Sequence, residues 1–119
     1  MREIYDEMYH YDFSVRNRET FEKTILLEDD DGQKIDLSGK SAAAQVRPEP
    51  GSSILTASMS CTLDTQEGSV TMLLTSDQTA AIAPGKYAYD LCLIEAIGTE
   101  SVRKYILGGV FAVFPSVTA

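Results

Sequence analysis

One histidine, two cysteines and a run of four acids are the residues of this 119-residue chain that could do chemistry. His10 stands in His10-x-Asp12-x-Ser14, the three residue types of a nucleophilic triad. A triad works by converging on one reacting atom, whereas alternate residues of one strand point the same way, side by side. The spacing therefore reads as a solvent-facing strand with no catalytic role. Glu28 to Gly32, Glu-Asp-Asp-Asp-Gly, offers hard oxygen ligands of the kind calcium takes. With Gly32 as the loop glycine, an EF-hand loop would begin at Leu27 and end at Ser38, and neither is an acid. The stretch reads as an exposed hairpin turn. Cys61, Cys92 and His10 are too few for zinc and have no paired spacing. No phosphate-binding loop, nucleophile elbow or dinucleotide fingerprint is present. We expect no enzyme, no catalytic residue, no metal site and no cofactor.

Charge excludes further classes. Eighteen acidic residues against ten basic give a net charge of −8, and the basic residues are scattered. Phosphate backbones and anionic membrane surfaces need clustered Lys and Arg, so neither is an expected partner. No apolar run is long enough to span a bilayer. The N-terminal "MREIYDEMYHYDF" has no apolar signal core, and two cysteines make no disulfide framework. Both thiols read as reduced, half-buried strand residues.

The elements that would position these side chains are short and regularly punctuated. Turn signals fall at Asp31-Gly32, Ser38-Gly39, Pro48 to Gly51, Glu67-Gly68, Pro84-Gly85 and Gly98. Such spacing predicts an all-β sandwich or barrel. From Tyr9 to Arg16 the alternation puts Tyr9, Tyr11, Phe13 and Val15 toward a core. Strands are expected at Thr20–Asp29, Lys40–Pro48, Ser52–Asp64 and Gly68–Thr75, with "KIDLSG" as a link. "SDQTAAIAPG" predicts one or two helical turns with Ser76 as a possible N-cap. "KYAYDLCLIEA" is the cleanest strand, and Gly108-Gly109 marks an expected bulge or bend in the last one. One domain is expected over residues 9–119, preceded by an N-terminal arm at 1–8.

Three stretches then stand in order: "DGQKIDLSGKSAAAQVR", "SVTMLLTSDQTAAIAPGKYAYDL" and "LGGVFAV". From Phe13 to Val117 this arrangement resembles small β-sandwich proteins of tailed-phage structural gene clusters. It is similar to the N-terminal domain of the phage upper baseplate protein, which carries further domains beyond it. The resemblance implies an immunoglobulin-like antiparallel β-sandwich acting as an attachment or assembly module. It also implies a virion protein made in the bacterial host cytoplasm, with other virion proteins and copies of itself as partners.

Within that frame, Ile4, Tyr5, Met8 and Tyr9 are the candidate subunit contacts, because an aromatic arm can add as a strand to a sheet edge. The competing reading has Tyr9 to Val15 complete this domain's own sheet. Tyr87, just after "IAPG", is placed to bond its hydroxyl to upstream backbone in a tyrosine corner. Tyr89 is expected in the core. Arg47 and Asp90 are expected to pair on the outer face of adjacent strands. The rival function is a carbohydrate- or ligand-binding β-sandwich module. Against it, the chain has no Trp, and only Tyr5 and Tyr105 fall off the faces assigned to the core.

Overall fold

The computed structural model describes residues 8–29 and 31–118. Among them the strands are β1 (Tyr9–His10), β2 (Phe13–Arg16), β3 (Phe21–Leu26), β4 (Lys40–Arg47), β5 (Ala57–Asp64), β6 (Ser69–Leu74), β7 (Gly85–Ile97) and β8 (Glu100–Phe114). One short helix, α1 (Ser76–Ala80), separates β6 from β7. Thr75 is its N-cap: the Thr75 hydroxyl accepts from Gln78 N–H while Gln78 Oε1 accepts from Thr75 N–H. This reciprocal capping box places the start one residue before the expected Ser76.

The fold is all-β, with a curled, mixed sheet in place of the purely antiparallel pairing expected of an immunoglobulin-like sandwich. The strands follow one path, β1-β8-β7-β4-β5-β6-β3, with β2 also on β8. β1 and β2 run parallel to β8, whereas the remaining ladders are antiparallel. The path curls at β5, which pairs with β4 over Ala57–Met59 and with β6 over Ser60–Asp64. A strand that changes partners halfway turns a sheet around its own core. Phe21 of β3, at one end of the path, therefore reaches Phe13 of β2 and Phe111 of β8 at the other, with ring centroids 5.3 and 5.0 Å apart. No ladder joins β2 to β3, so the sheet is a mixed half-barrel.

Alternation drives the core. Ala44 and Val46 of β4, Val70, Met72 and Leu74 of β6, and Leu91 of β7 are buried on the concave side. Phe111 is fully buried among Phe21 and Tyr89. Burying a ring of that size contributes about 1.5–3 kcal/mol. Leu37 lies in the expected link, yet it is almost fully buried in the core. Asp36 Oδ1 accepts from Ser38 N–H, Lys40 N–H donates to Leu37 O, and Gly39 takes φ +72°. That turn folds Leu37 back into the core.

The bulge in β8 is not at the glycines. Leu91 faces Leu107 and Cys92 faces Tyr105, so Ile106 is the extra residue. Gly108 and Gly109 lie in regular ladder and allow close approach instead. A Cβ on Gly109 would meet Tyr11 O at 2.5 Å and Asp12 Oδ1 at 2.7 Å; one on Gly108 would meet Met8 Cε at 2.9 Å. The turn between β2 and β3 is fixed from outside. Asn17 Nδ2 donates to Thr79 O and Ile82 O, both at 2.7 Å, and Thr79 Oγ1 donates to Glu19 O. Arg18, at φ +72°, adopts a left-handed conformation to make this turn, the one non-glycine residue to do so among the described residues.

Candidate functional site

The N-terminal strand is where the ladder departs from its rule. Tyr9 faces Leu107 and Phe13 faces Phe111 at the same offset, so Tyr11 and Asp12 fall opposite Gly109 and Val110. Tyr11 N–H donates to Gly108 O at 2.9 Å. A regular parallel ladder would return Val110 N–H to the Tyr11 carbonyl. Here Val110 N–H goes to Asp12 Oδ1 at 2.9 Å, and the Tyr11 carbonyl accepts from the Tyr89 hydroxyl at 2.5 Å. The break between β1 and β2 is this exchange of partners. Burial, then the Asp12 charge, then Tyr11 push the Tyr89 phenol well above its ordinary pKa, which keeps it a donor.

The same register decides which backbone groups look outward. Odd-numbered residues from Tyr11 to Asn17 turn their amides to β8. The main-chain groups of Asp12 and Ser14 therefore point to the outer edge, and so does Arg16 N–H, which Glu19 Oε1 caps at 3.0 Å. The other end of the path is blunted. Lys23 sits on the Phe21 and Ile25 face of β3, and a charge there discourages edge pairing.

Ile4 and Tyr5 lie outside the described residues. Met8 lies against Gly108, and Tyr9 belongs to β1 in the domain's own sheet. Tyr9 and Tyr11 are 60% and 61% exposed, which corrects their expected place in the core. Alternation specifies the face a residue is on, and burial also needs a layer opposite. Phe13 and Val15 have that layer in β3. His10 and Ser14 are four residues apart along one edge, roughly 13 Å of strand. Asp12 is engaged by Val110 N–H, so these three side chains do not form a triad.

Tyr87 donates its hydroxyl to Ala83 O at 2.5 Å, across the Pro84-Gly85 turn. Tyr89 is buried against Phe13 and Phe111. Asp90 and Arg47 are on adjacent strands but one position out of step: Asp90 faces Gln45, and Arg47 faces Ala88. The guanidinium donates to Gln45 Oε1 at 2.8 Å and to Ser52 O at 3.2 Å. The direct pair expected between Arg47 and Asp90 is thus absent: Arg47 is held by Gln45 and Ser52 and acts on Asp90 only through its charge. Burial raises the Asp90 carboxyl above its ordinary range, and the nearby Arg47 charge pulls it partly back.

These residues line a groove of about 590 Å³ on the outer face of β4, β7 and β8. Asp90 and Ala88 are on its floor; Pro48, Pro50, Met8 and Tyr105 are on its walls. Tyr105 reads as off the core from the sequence alone, but its place beside Cys92 and the groove depends on the bulge at Ile106, which spacing does not show. A depression of about 680 Å³ on the outer face of β3, β5 and β6 is lined by Thr24, Thr62, Thr71 and acids. Its Asp64 carboxylate is already engaged by Gln66 and Glu67 N–H, so it offers less uncommitted chemistry. Among the described residues no cluster of His, Cys, Asp or Glu could hold a metal, and no helix is long and apolar enough to cross a membrane. Cys61 and Cys92 are free thiols.

The fold is one that other proteins share. No protein-family model matches the chain, and no curated protein matches it. Among solved structures it is similar to the N-terminal domain of phage TP901-1 ORF48, with a TM-score of 0.53 and 11% sequence identity. The likeness covers 86% of this chain and 83% of that one. At this identity it is a likeness of fold.

Proposed function

We propose that the protein is a non-enzymatic structural or assembly module of a phage or prophage virion, in the tail, baseplate or head–tail region. The observation that carries this reading is the shared fold with the N-terminal domain of a phage protein over most of both chains. The motif resemblance to the upper baseplate protein's N-terminal domain points the same way. On this reading the protein is made in the host cytoplasm and resides in the virion. Its partners are other virion proteins and copies of itself, with no nucleic acid, membrane or cofactor involved.

The contact would form at the outer edge of β1 and β2. Asp12 and Ser14 present main-chain groups there, and the exposed Tyr9 and Tyr11 rings supply apolar area beside them. An added strand gains main-chain hydrogen bonds at such an edge and selectivity from alternate side chains. Ser14→Pro tests this directly. Its N–H faces away from β8, so the domain's own ladder does not need it. The substituted chain is expected to keep its thermal midpoint and lose self-association in sedimentation velocity. Unchanged association would count against this edge.

A further inference from the structure

We infer that the groove on the outer face of β4, β7 and β8 binds a neutral polyhydroxylated ligand, a saccharide. Three independent features build it. The first is the Ile106 bulge. It shifts Tyr105 to pair with Cys92, on the Asp90 side of the sheet, where its ring stands 48% exposed on the groove wall. Bulges commonly re-aim a side chain in this way. The second is the wall over the floor: Gly108, beside Asp90 on β8, makes room for Met8, which closes one side of the groove, with Ala88 and Val110 in the next row.

The third is Asp90 itself. It accepts no hydrogen bond from the described residues, while Arg47 is committed to Gln45 and Ser52. Its half-buried carboxylate opens to the groove, where a ligand's donors can replace those of solvent. The lining charges choose the ligand class. Arg47 and Lys86 are balanced by Glu49 and Asp90, so the groove carries no net charge to select an ion. A sugar ring offers hydroxyl donors to Asp90, hydroxyl acceptors to Arg47 and Gln45, and an apolar C–H face to Tyr105. The volume is in the range of small-molecule pockets. The groove shares Met8 and His10 with the N-terminal segment, but Asp90 and Tyr105, which the test substitutes, lie on β7 and β8 and not at the β1–β2 edge.

The test is a titration of the ¹⁵N-labelled full chain with glucose, galactose, N-acetylglucosamine, maltose and, separately, lysine amide, each to about 10 mM. At least one saccharide is expected to shift the amides of Gln45, Ala88, Asp90 and Val110. Asp90→Ala and Tyr105→Ala are each expected to weaken that binding by about tenfold or more. Asp64→Ala, in the other depression, should leave it unchanged. The inference is overturned if no saccharide moves those amides, if the shifts survive both groove substitutions, or if lysine amide alone produces them.

Discussion

The Tyr89 hydroxyl holds the main-chain carbonyl of Tyr11, 78 residues away, at 2.5 Å. It takes the position that Val110 N–H would fill in an uninterrupted parallel ladder, and Asp12 takes up the displaced N–H. A buried core residue thereby fastens the N-terminal strand that provides the proposed contact edge.

Removing that hydroxyl alone should loosen one strand. Tyr89→Phe keeps the ring against Phe13 and Phe111. It is expected to lower stability by about 1 kcal/mol in urea unfolding. Hydrogen exchange should speed up at Phe13 and Val110 and stay unchanged between β4 and β7. Uniform acceleration across both regions would show that Tyr89 acts on the whole core and not on the strand.

Gly109 should tolerate no side chain. A Cβ there would sit 2.5 Å from Tyr11 O and 2.7 Å from Asp12 Oδ1, so either the strand or the ladder must move. Gly109→Ala is expected to cost about 1–3 kcal/mol and to detach β1. A wild-type unfolding midpoint would contradict the close approach.

The raised pKa values of Asp90 and Tyr89 each contribute to the pH response. Unfolded Asp90 loses its proton near 3.8, whereas the folded carboxyl keeps it to higher pH. The native state therefore binds more protons in that window, and stability falls as pH rises through it. Asp90→Asn should stabilise the fold at pH 7, with the gain vanishing below the ordinary aspartate range. Tyr89 behaves alike at the alkaline end. Above the ordinary tyrosine value of 10.0 the unfolded phenol ionises first, so stability falls, and Tyr89→Phe should remove that part of the fall. Midpoints measured across pH check both signs. An Asp90→Asn chain less stable than the parent at pH 7 would contradict the account of that residue.

How much of this the sequence carried depends on whether a feature is local. The faces of β4 and β7 follow from alternation, because Ala44, Val46, Leu91 and Leu93 all have a layer opposite them. Tyr9 and Tyr11 continue the alternation of Phe13 and Val15, yet they are exposed, and period two carries no information on where the facing layer stops. Parallel pairing of β1 and β2 with β8 joins the two ends of the chain and leaves no mark within either segment. Gly108-Gly109 looked like a bend because glycine is read first as freedom. Its role here is clearance for Met8 and Tyr11. The true bulge, at Ile106, has no signature residue, so the groove it helps to build could not be read from spacing.

Solution mass measured by light scattering, for the full chain and for a chain beginning at Tyr9, tests the assembly reading most directly. We predict the same discrete oligomer for both chains, because the β1–β2 edge that makes the contact begins at Tyr9. A monomer for both chains at every concentration would contradict self-association through that edge.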